Sequence, residues 1–305
     1  MQDLKIIFFG TPDFAVASLK ALLDAGQQVV AVVTAPDKPA GRGLKMHPSA
    51  VKEFAIQHDI PVLQPEKLKS EEFIRALDAF NPDIQVVVAF RMLPELVWNR
   101  PRLGTINVHA SLLPDYRGAA PINWAIMDGN QKTGVTTFKL QHAIDTGDIL
   151  LQEEVGIAND ETAGSLHDKL MLAGARLLVQ TIHGLQNETL HGVPQKSLPE
   201  NRHAPKLFPE NCAIHWDWPG KKIDCHVRGL APYPGAFTTF EGKRLKVFSV
   251  LFESRQTSFE TGSYQFTKDE LTYTCSDGVI KILELQLEGK SRMSVNDFLR
   301  GWRRV

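Results

Sequence analysis

The 305-residue sequence has only three cysteines, Cys212, Cys225 and Cys275. They are odd in number and widely spaced, with no Cys-x-x-Cys pair. That argues against a disulfide framework and against a cysteine-based zinc site. The ten histidines never take His-Glu-x-x-His spacing, so no metal is expected. No apolar run approaches the roughly 20 residues of a membrane span, and no membrane partner is expected. The opening "MQDLKIIFFG" lacks the longer apolar stretch and cleavage pattern of a secretion signal, so a cytoplasmic location is the expectation. The Gly-x-Gly-x-x-Gly fingerprint is missing as well. The first strand runs instead into "GTPDF" (10–14), which disfavours a nicotinamide enzyme. Net charge is close to zero, at −1, which argues against a general polyanion binder. Its distribution is uneven: 19 basic against 23 acidic residues up to position 205, and 15 against 12 beyond it.

What is present reads as two domains, since one core rarely grows past roughly 250–300 residues. The segments "LKIIFFG" (4–10), "QVVAVVT" (28–34), "DIQVVVAF" (83–90) and "GTINVHA" (104–110) are short and apolar on both faces. Between them lie helix patterns. One covers 13–26, with Phe14, Ala17, Ala21, Leu22 and Ala25 on one face and Gly26 as its stop. Another covers 71–80, capped by Ser70. Strands buried on both faces and separated by helices imply an α/β domain with a doubly wound, mostly parallel sheet over 1–188. Residues 189–209, rich in Pro and polar side chains, read as a linker. Segments 236–250, 262–275 and 278–290 then read as strands with Gly turns and little helix between them. Ser294, three before Asp297, starts a last helix. Residues 210–305 are therefore expected to form a small antiparallel β barrel.

Chemistry is suggested by "INVHASLLP" (106–114). A strand alternates its faces, so Asn107 and His109 point the same way. They stand at the C-terminal end of a predicted parallel strand, where open α/β sheets bind ligands. Satisfied core polars are a fair reading of either residue alone and a poorer one of the pair. Asp145, in "IDTGDIL" (144–150), follows the strand "GVTTFKL" (134–140) and is expected at the same edge. Asn can donate to a developing oxyanion. His can relay a proton or stabilise that oxyanion as a cation, and Asp can orient the His and favour its charged form. Ser111 lacks the Gly-x-Ser-x-Gly elbow, so a serine triad is discounted. The stretch "TAPDKPAGRGLKMHPS" (34–49) reads as a flexible surface loop or as a mobile basic loop that follows a polyanion through Lys38, Arg42 and Lys45.

Taken together, "GTPDFAV" (10–16), "PDKPAGRG" (36–43), "INVHASLLPDYRGAAPINWAI" (106–126), "IDTGD" (144–148) and "LELQLEGKSRM" (283–293) resemble the methionyl-tRNA formyltransferases. The resemblance covers nearly the whole chain. The Asn-x-His…Asp set and the Ser-Leu-Leu-Pro turn are shared among 10-formyltetrahydrofolate-using enzymes. The basic loop, "RGAAPI" and the C-terminal module are more specific. The resemblance implies a Rossmann-like formyltransferase domain followed by an OB-like barrel. It also implies transfer of a formyl group from 10-formyltetrahydrofolate, without a metal, to the amino group of methionine on initiator tRNA. It assigns catalysis to Asn107, His109 and Asp145. Folate contacts fall on Ser111, Leu112, Leu113, Pro114, Phe90, Arg91, Met92, Leu93 and Ile144. Contacts to tRNA fall on Lys38, Arg42, Lys45, Lys290 and Arg292. A monomer is expected. The chain departs from the family pattern at Phe90-Arg91 and in "LQHAID" (140–145), both at the implied folate pocket. A formyltransferase acting on an amino-sugar nucleotide or another small amine, a formyl-folate hydrolase, and an RNA-binding module with a decayed enzyme domain stand as alternatives.

Overall fold

The computed structural model describes residues 4–40, 45–196 and 200–302. It divides into two compact units: Met1–Gly118, Thr133–Val155 and His167–His203 form one, and Ala119–Lys132, Gly156–Leu166 and Ala204–Val305 the other. The second unit thus takes two segments from before the 189–209 stretch.

The first unit is built on a seven-stranded sheet. Across it the strands run Ile149–Gly156, Lys132–Lys139, Thr105–His109, Ile84–Val88, Ile6–Gly10, Val29–Val33 and Val62–Leu63. From Thr105–His109 to Val62–Leu63 every neighbouring pair is parallel. Alternation explains why these strands are apolar throughout. Ile7, Phe9, Ala31, Val33 and Val87 pack with Phe73 and Leu77 of the helix Glu71–Ala79. Their neighbours Ile6, Phe8, Val32 and Val86 face the other way and are equally buried. Ser70 caps that helix by accepting from the Phe73 amide. The helix Asp13–Asp24 buries Phe14, Ala15, Ser18, Leu19 and Leu22, a face rotated from the expected one. Ala17 and Ala21 are only half-buried, because the face carrying the larger Phe14, Leu19 and Leu22 turns inward.

Parallel pairing aligns the C-terminal ends of four strands, at Gly10, Val33, Val88 and His109. One of the connections leaving this edge is pinned at both ends. After Val33, Thr34 and Ser49 join hydroxyl to hydroxyl at 2.7 Å, and Lys52 pairs with Asp37 at 2.7 Å. Lys52, helped by Gln64, holds the Asp37 carboxyl below its usual range. Between these anchors Lys38–Ala40 and Lys45–His47 form a hairpin, so the basic stretch begins and ends as paired strands. After Val88, Ala89 takes a left-handed conformation (φ 47°).

The second unit carries an antiparallel sheet in the order Ala236–Phe240, Lys243–Glu253, Gly278–Leu287, Leu271–Cys275, Tyr264–Phe266, with Met293–Ser294 added beside Gly278–Leu287. Its first and last strands are not paired to each other among the described residues, so the sheet is a half-barrel. Phe240, Leu245, Val247, Tyr273, Ile280 and Leu285 form its core. Within 236–250 the strands Ala236–Phe240 and Lys243–Glu253 are separated by Glu241 and Gly242, which both adopt positive φ and turn the chain. Ser294 caps the helix Val295–Arg300, accepting from the Asp297 amide at 3.1 Å. Between these strands there is little helix, as expected, but ahead of them the helix Gly220–Leu230, which no sequence signal marked, buries Ile223, Val227 and Leu230 at i, i+4 and i+7.

That helix also buries His226, whose Nε2 has no hydrogen-bond partner among the described residues. Burial pulls its pKa down to about 4 from an ordinary 6.5. The unfolded chain therefore binds a proton near pH 6.5 that the fold refuses until about pH 4. Stability is unaffected above pH 6.5 and falls as pH drops through that window, by roughly 3 kcal/mol at most. Denaturant titration of this unit at pH 7 and pH 4.5, within the full chain, is expected to show the loss. His226→Gln is expected to remove that component of the pH dependence.

Candidate active site

The site is assembled at the C-terminal end of Thr105–His109. His109 is buried and Asn107, two residues earlier, is half-buried. His109 Nε2 lies 2.9 Å from the Tyr116 carbonyl oxygen. A carbonyl only accepts, so Nε2 carries a hydrogen. Nδ1 is the ring nitrogen left without that bond, and it faces Asp145 Oδ2 at 3.9 Å. That separation exceeds a hydrogen bond, so the carboxylate and the ring are neighbours without one. With side-chain exposures of 8% and 14% for His109 and Asp145, water screens the pair weakly. Asp145 Oδ2 also accepts from the Gly118 amide at 2.9 Å. Among the described residues the Asn107 amide makes no hydrogen bond to protein, which leaves both its N–H groups for a ligand.

Asp145 reaches His109 by a route the sequence reading did not foresee. Lys132–Lys139 pairs antiparallel to Thr105–His109, with His109 beside Thr136 and Ile106 beside Lys139. Its C-terminal end therefore lies about 10 Å from His109, three residues back along the strand. The expectation that Asp145 shares an edge with His109 because it follows this strand is wrong in its reason. The segment 140–148 folds back instead. The Lys139 amide donates to Asp148 O at 3.0 Å, and Gly147 lies so close that a Cβ there would stand 1.6 Å from Lys139 O. Asp145 itself takes a left-handed conformation (φ 54°), as does Tyr116 (φ 58°). Such conformations cost energy in non-glycine residues and persist where neighbours over-determine them.

The turn after His109 is clamped from the adjacent strands. Thr136 Oγ1 donates to Ser111 O and accepts from the Leu113 amide, at 2.6 and 3.1 Å. Gln152 Nε2 donates to Leu113 O at 2.9 Å. The Ser111 hydroxyl is fully buried and donates to Asp115 O at 2.6 Å, so it is spent on the turn. Leu113 is buried, while Leu112 and Pro114 are half-buried.

Phe90 to Leu93 leave the neighbouring strand end. Phe90 sets its edge against Phe9, and Arg91 lies over Phe90 and donates to the carbonyls of Pro65 and Glu66. Leu93 is core. Met92 and Ile144 are open, at 74% and 60% exposure. Of the basic residues, Lys38 is exposed on the hairpin. Arg42 lies outside the described residues, and only the backbone of Lys45 is described. In the second unit Lys290 is exposed. Arg292 lies over Phe248 and is held bidentately by Glu284 at 2.6 and 2.5 Å. That pairing raises its pKa further. Among the described residues no group of three or more His, Cys, Asp or Glu is placed to hold a metal, and no helix is long and apolar enough to cross a membrane.

Sequence reasoning missed Gln195, in the stretch read as a linker. Its Nε2 donates to Asp145 O at 2.9 Å and to Gly147 O at 2.8 Å, and its Oε1 accepts from Arg117. No periodicity or motif marks it. Its only signal is a polar residue of amide type among prolines.

Residues 4–182 match the model of the formyl transferase family and residues 206–303 that of the formyl transferase C-terminal domain. The methionyl-tRNA formyltransferase of Parabacteroides distasonis is 49% identical over all of this chain and 97% of its own length. That of Phocaeicola vulgatus is 50% identical over 99% of this chain and 97% of its own. Two solved structures share the fold at 18% identity. The sugar 3N-formyl transferase WlaRD has a TM-score of 0.68, covering 95% of this chain and all of its own. HypX from Aquifex aeolicus, in complex with tetrahydrofolic acid, has a TM-score of 0.67, covering all of this chain and half of its own. With a formyl transferase model over most of the chain and full-length relatives near 50% identity, the chain belongs to the methionyl-tRNA formyltransferases.

Proposed function

We propose that this enzyme transfers the formyl group of 10-formyltetrahydrofolate to the α-amino group of methionine on initiator tRNA, for translation initiation. The observation that carries the chemistry is the convergence of Asn107, His109 and Asp145 at one strand end, with His109 Nδ1 free to exchange a proton beside a held carboxylate. An α-amino group titrates near 7.7–8.0, so a useful fraction is neutral and nucleophilic at cellular pH. The amine nitrogen bonds to the formyl carbon, and the carbonyl electrons move onto oxygen. Asn107 donates to that oxyanion. The amine loses a proton to His109 Nδ1, and the Asp145 carboxylate stabilises the resulting imidazolium. As the oxyanion collapses, the carbon–nitrogen bond to the folate breaks and the departing nitrogen takes the proton.

The folate would lie along the turn Ser111–Pro114, Phe90–Leu93 and Ile144. Met92 and Ile144 are the exposed apolar side chains there. Backbone at 111–114 rather than the Ser111 hydroxyl would make the polar contacts. Lys38, Arg42, Lys45, Lys290 and Arg292 would meet tRNA phosphates, with Arg292 giving up Glu284 to do so. We assign catalysis to 1–188 and tRNA contact to 210–305, joined by 189–209, in a cytoplasmic monomer. Equilibrium binding of initiator tRNA across a salt series tests the partner. Log affinity should fall linearly with log salt, by about 0.7–0.9 for each phosphate neutralised. A flat response would contradict it.

A further inference from the structure

We infer that Gln195 is a positioning residue for the reaction, acting through Asp145; this rests on the role of Asp145 proposed above. The Gln195 amide uses all of its hydrogen-bonding capacity in one place. Its two N–H groups go to Asp145 O (2.9 Å) and Gly147 O (2.8 Å), and its oxygen receives Arg117 Nε (3.2 Å) and Nη2 (2.6 Å). Carbonyls only accept and a guanidinium only donates, so the amide fits one way round. The two carbonyls it holds bracket Thr146 and fix the turn on which Asp145 stands. That turn needs holding, because Asp145 sits at φ 54°. Gly118, next to Arg117, meanwhile grips the carboxylate end of the same residue, its amide 2.9 Å from Oδ2. The Arg117–Gly118 pair thus secures Asp145 twice, directly by its backbone and through Gln195 by its side chain.

The Gln195 backbone is itself anchored. Val193, two residues earlier, exchanges both amide hydrogen bonds with Ile149 at 2.8 Å. Gly192 packs so closely under Asp148 that a Cβ there would be 2.8 Å from the Asp148 Cβ. The segment is therefore a brace built against the fold-back, and a length change at position 195 would not be absorbed by slack chain.

The test separates positioning from bulk stability. Gln195→Glu keeps side-chain length and the acceptors for Arg117 but sets carboxylate oxygen against two carbonyls. Gln195→Leu removes both halves. Each is expected to lower kcat by about 10²-fold, the usual effect of a misplacement near 1 Å, with KM for both substrates little changed. Thermal melting is expected to stay near wild type. Because Gln195 acts through Asp145, Gln195→Glu should cost nothing further in an Asp145→Asn background. Wild-type kcat in both single variants, with Asp145→Asn slow, would overturn the positioning role. So would a full, multiplicative loss in the double variant. Wild-type turnover in Asp145→Asn would overturn the role of Asp145 and this inference with it.

Discussion

Asn107→Ala is expected to lower single-turnover formylation by about 10²–10³-fold, the cost of one oxyanion donor. The strand fixes Asn107 on the same face as His109, at the edge where four parallel strands end. Its amide makes no protein hydrogen bond among the described residues, so its loss leaves no buried partner unpaired. The fold should therefore tolerate the change, and the penalty should fall on the transition state. Asn107→Asp sharpens the point. It preserves shape but replaces a donor with an acceptor, and a carboxylate facing a developing oxyanion should be slower still. Rapid-quench measurement at saturating concentrations of both substrates reads these rates without interference from binding. A rate within about twofold of wild type in Asn107→Ala would remove it from the mechanism.

Gly147→Ala is expected to cost at least about 10² in kcat through displacement of Asp145. An added Cβ would stand 1.6 Å from the Lys139 carbonyl oxygen and 2.8 Å from its carbon. Those are backbone atoms of a sheet strand and do not move aside. The 140–148 segment must move instead, carrying Asp145 away from His109. Gly156→Ala, where a Cβ meets nothing within 4 Å, is the matched control and should retain turnover. A crystal structure of Gly147→Ala should show the 3.9 Å His109–Asp145 approach lengthened. Wild-type kcat in this variant would mean that the fold-back is not what sets the site.

The parts legible in the sequence are those governed by local periodicity. The parallel strands are apolar because both faces are buried, and the Asn107–His109 pair stands out against that background. Ser70 and Ser294 cap where they were expected to, since a cap is a three-residue interaction. What stayed hidden depends on long-range pairing. Nothing local says that Lys132–Lys139 runs antiparallel, so the path of Asp145 to His109 could not be read correctly. Gln195 meets its partners 50 and 48 positions away, from a stretch whose composition reads as linker. The Gly220–Leu230 helix was missed because its polar face, Lys221, Lys222, Asp224 and Arg228, outweighs three buried apolar positions. The resemblance places Ser111 among the folate contacts, and only the structure shows its hydroxyl committed to Asp115.

The acceptor is the point on which the functional reading turns, because the strand-end site explains formyl transfer and not the choice of amine. The direct measurement supplies 10-formyltetrahydrofolate with methionyl initiator tRNA, with an amino-sugar nucleotide, or with no acceptor, and identifies the formylated product by mass. Formylmethionyl-tRNA as the dominant product, formed at a rate that Asn107→Ala lowers by about 10²–10³-fold, is the expected result. Formylation of the amino sugar in preference to the tRNA, or release of formate at the same rate without any acceptor, would contradict it.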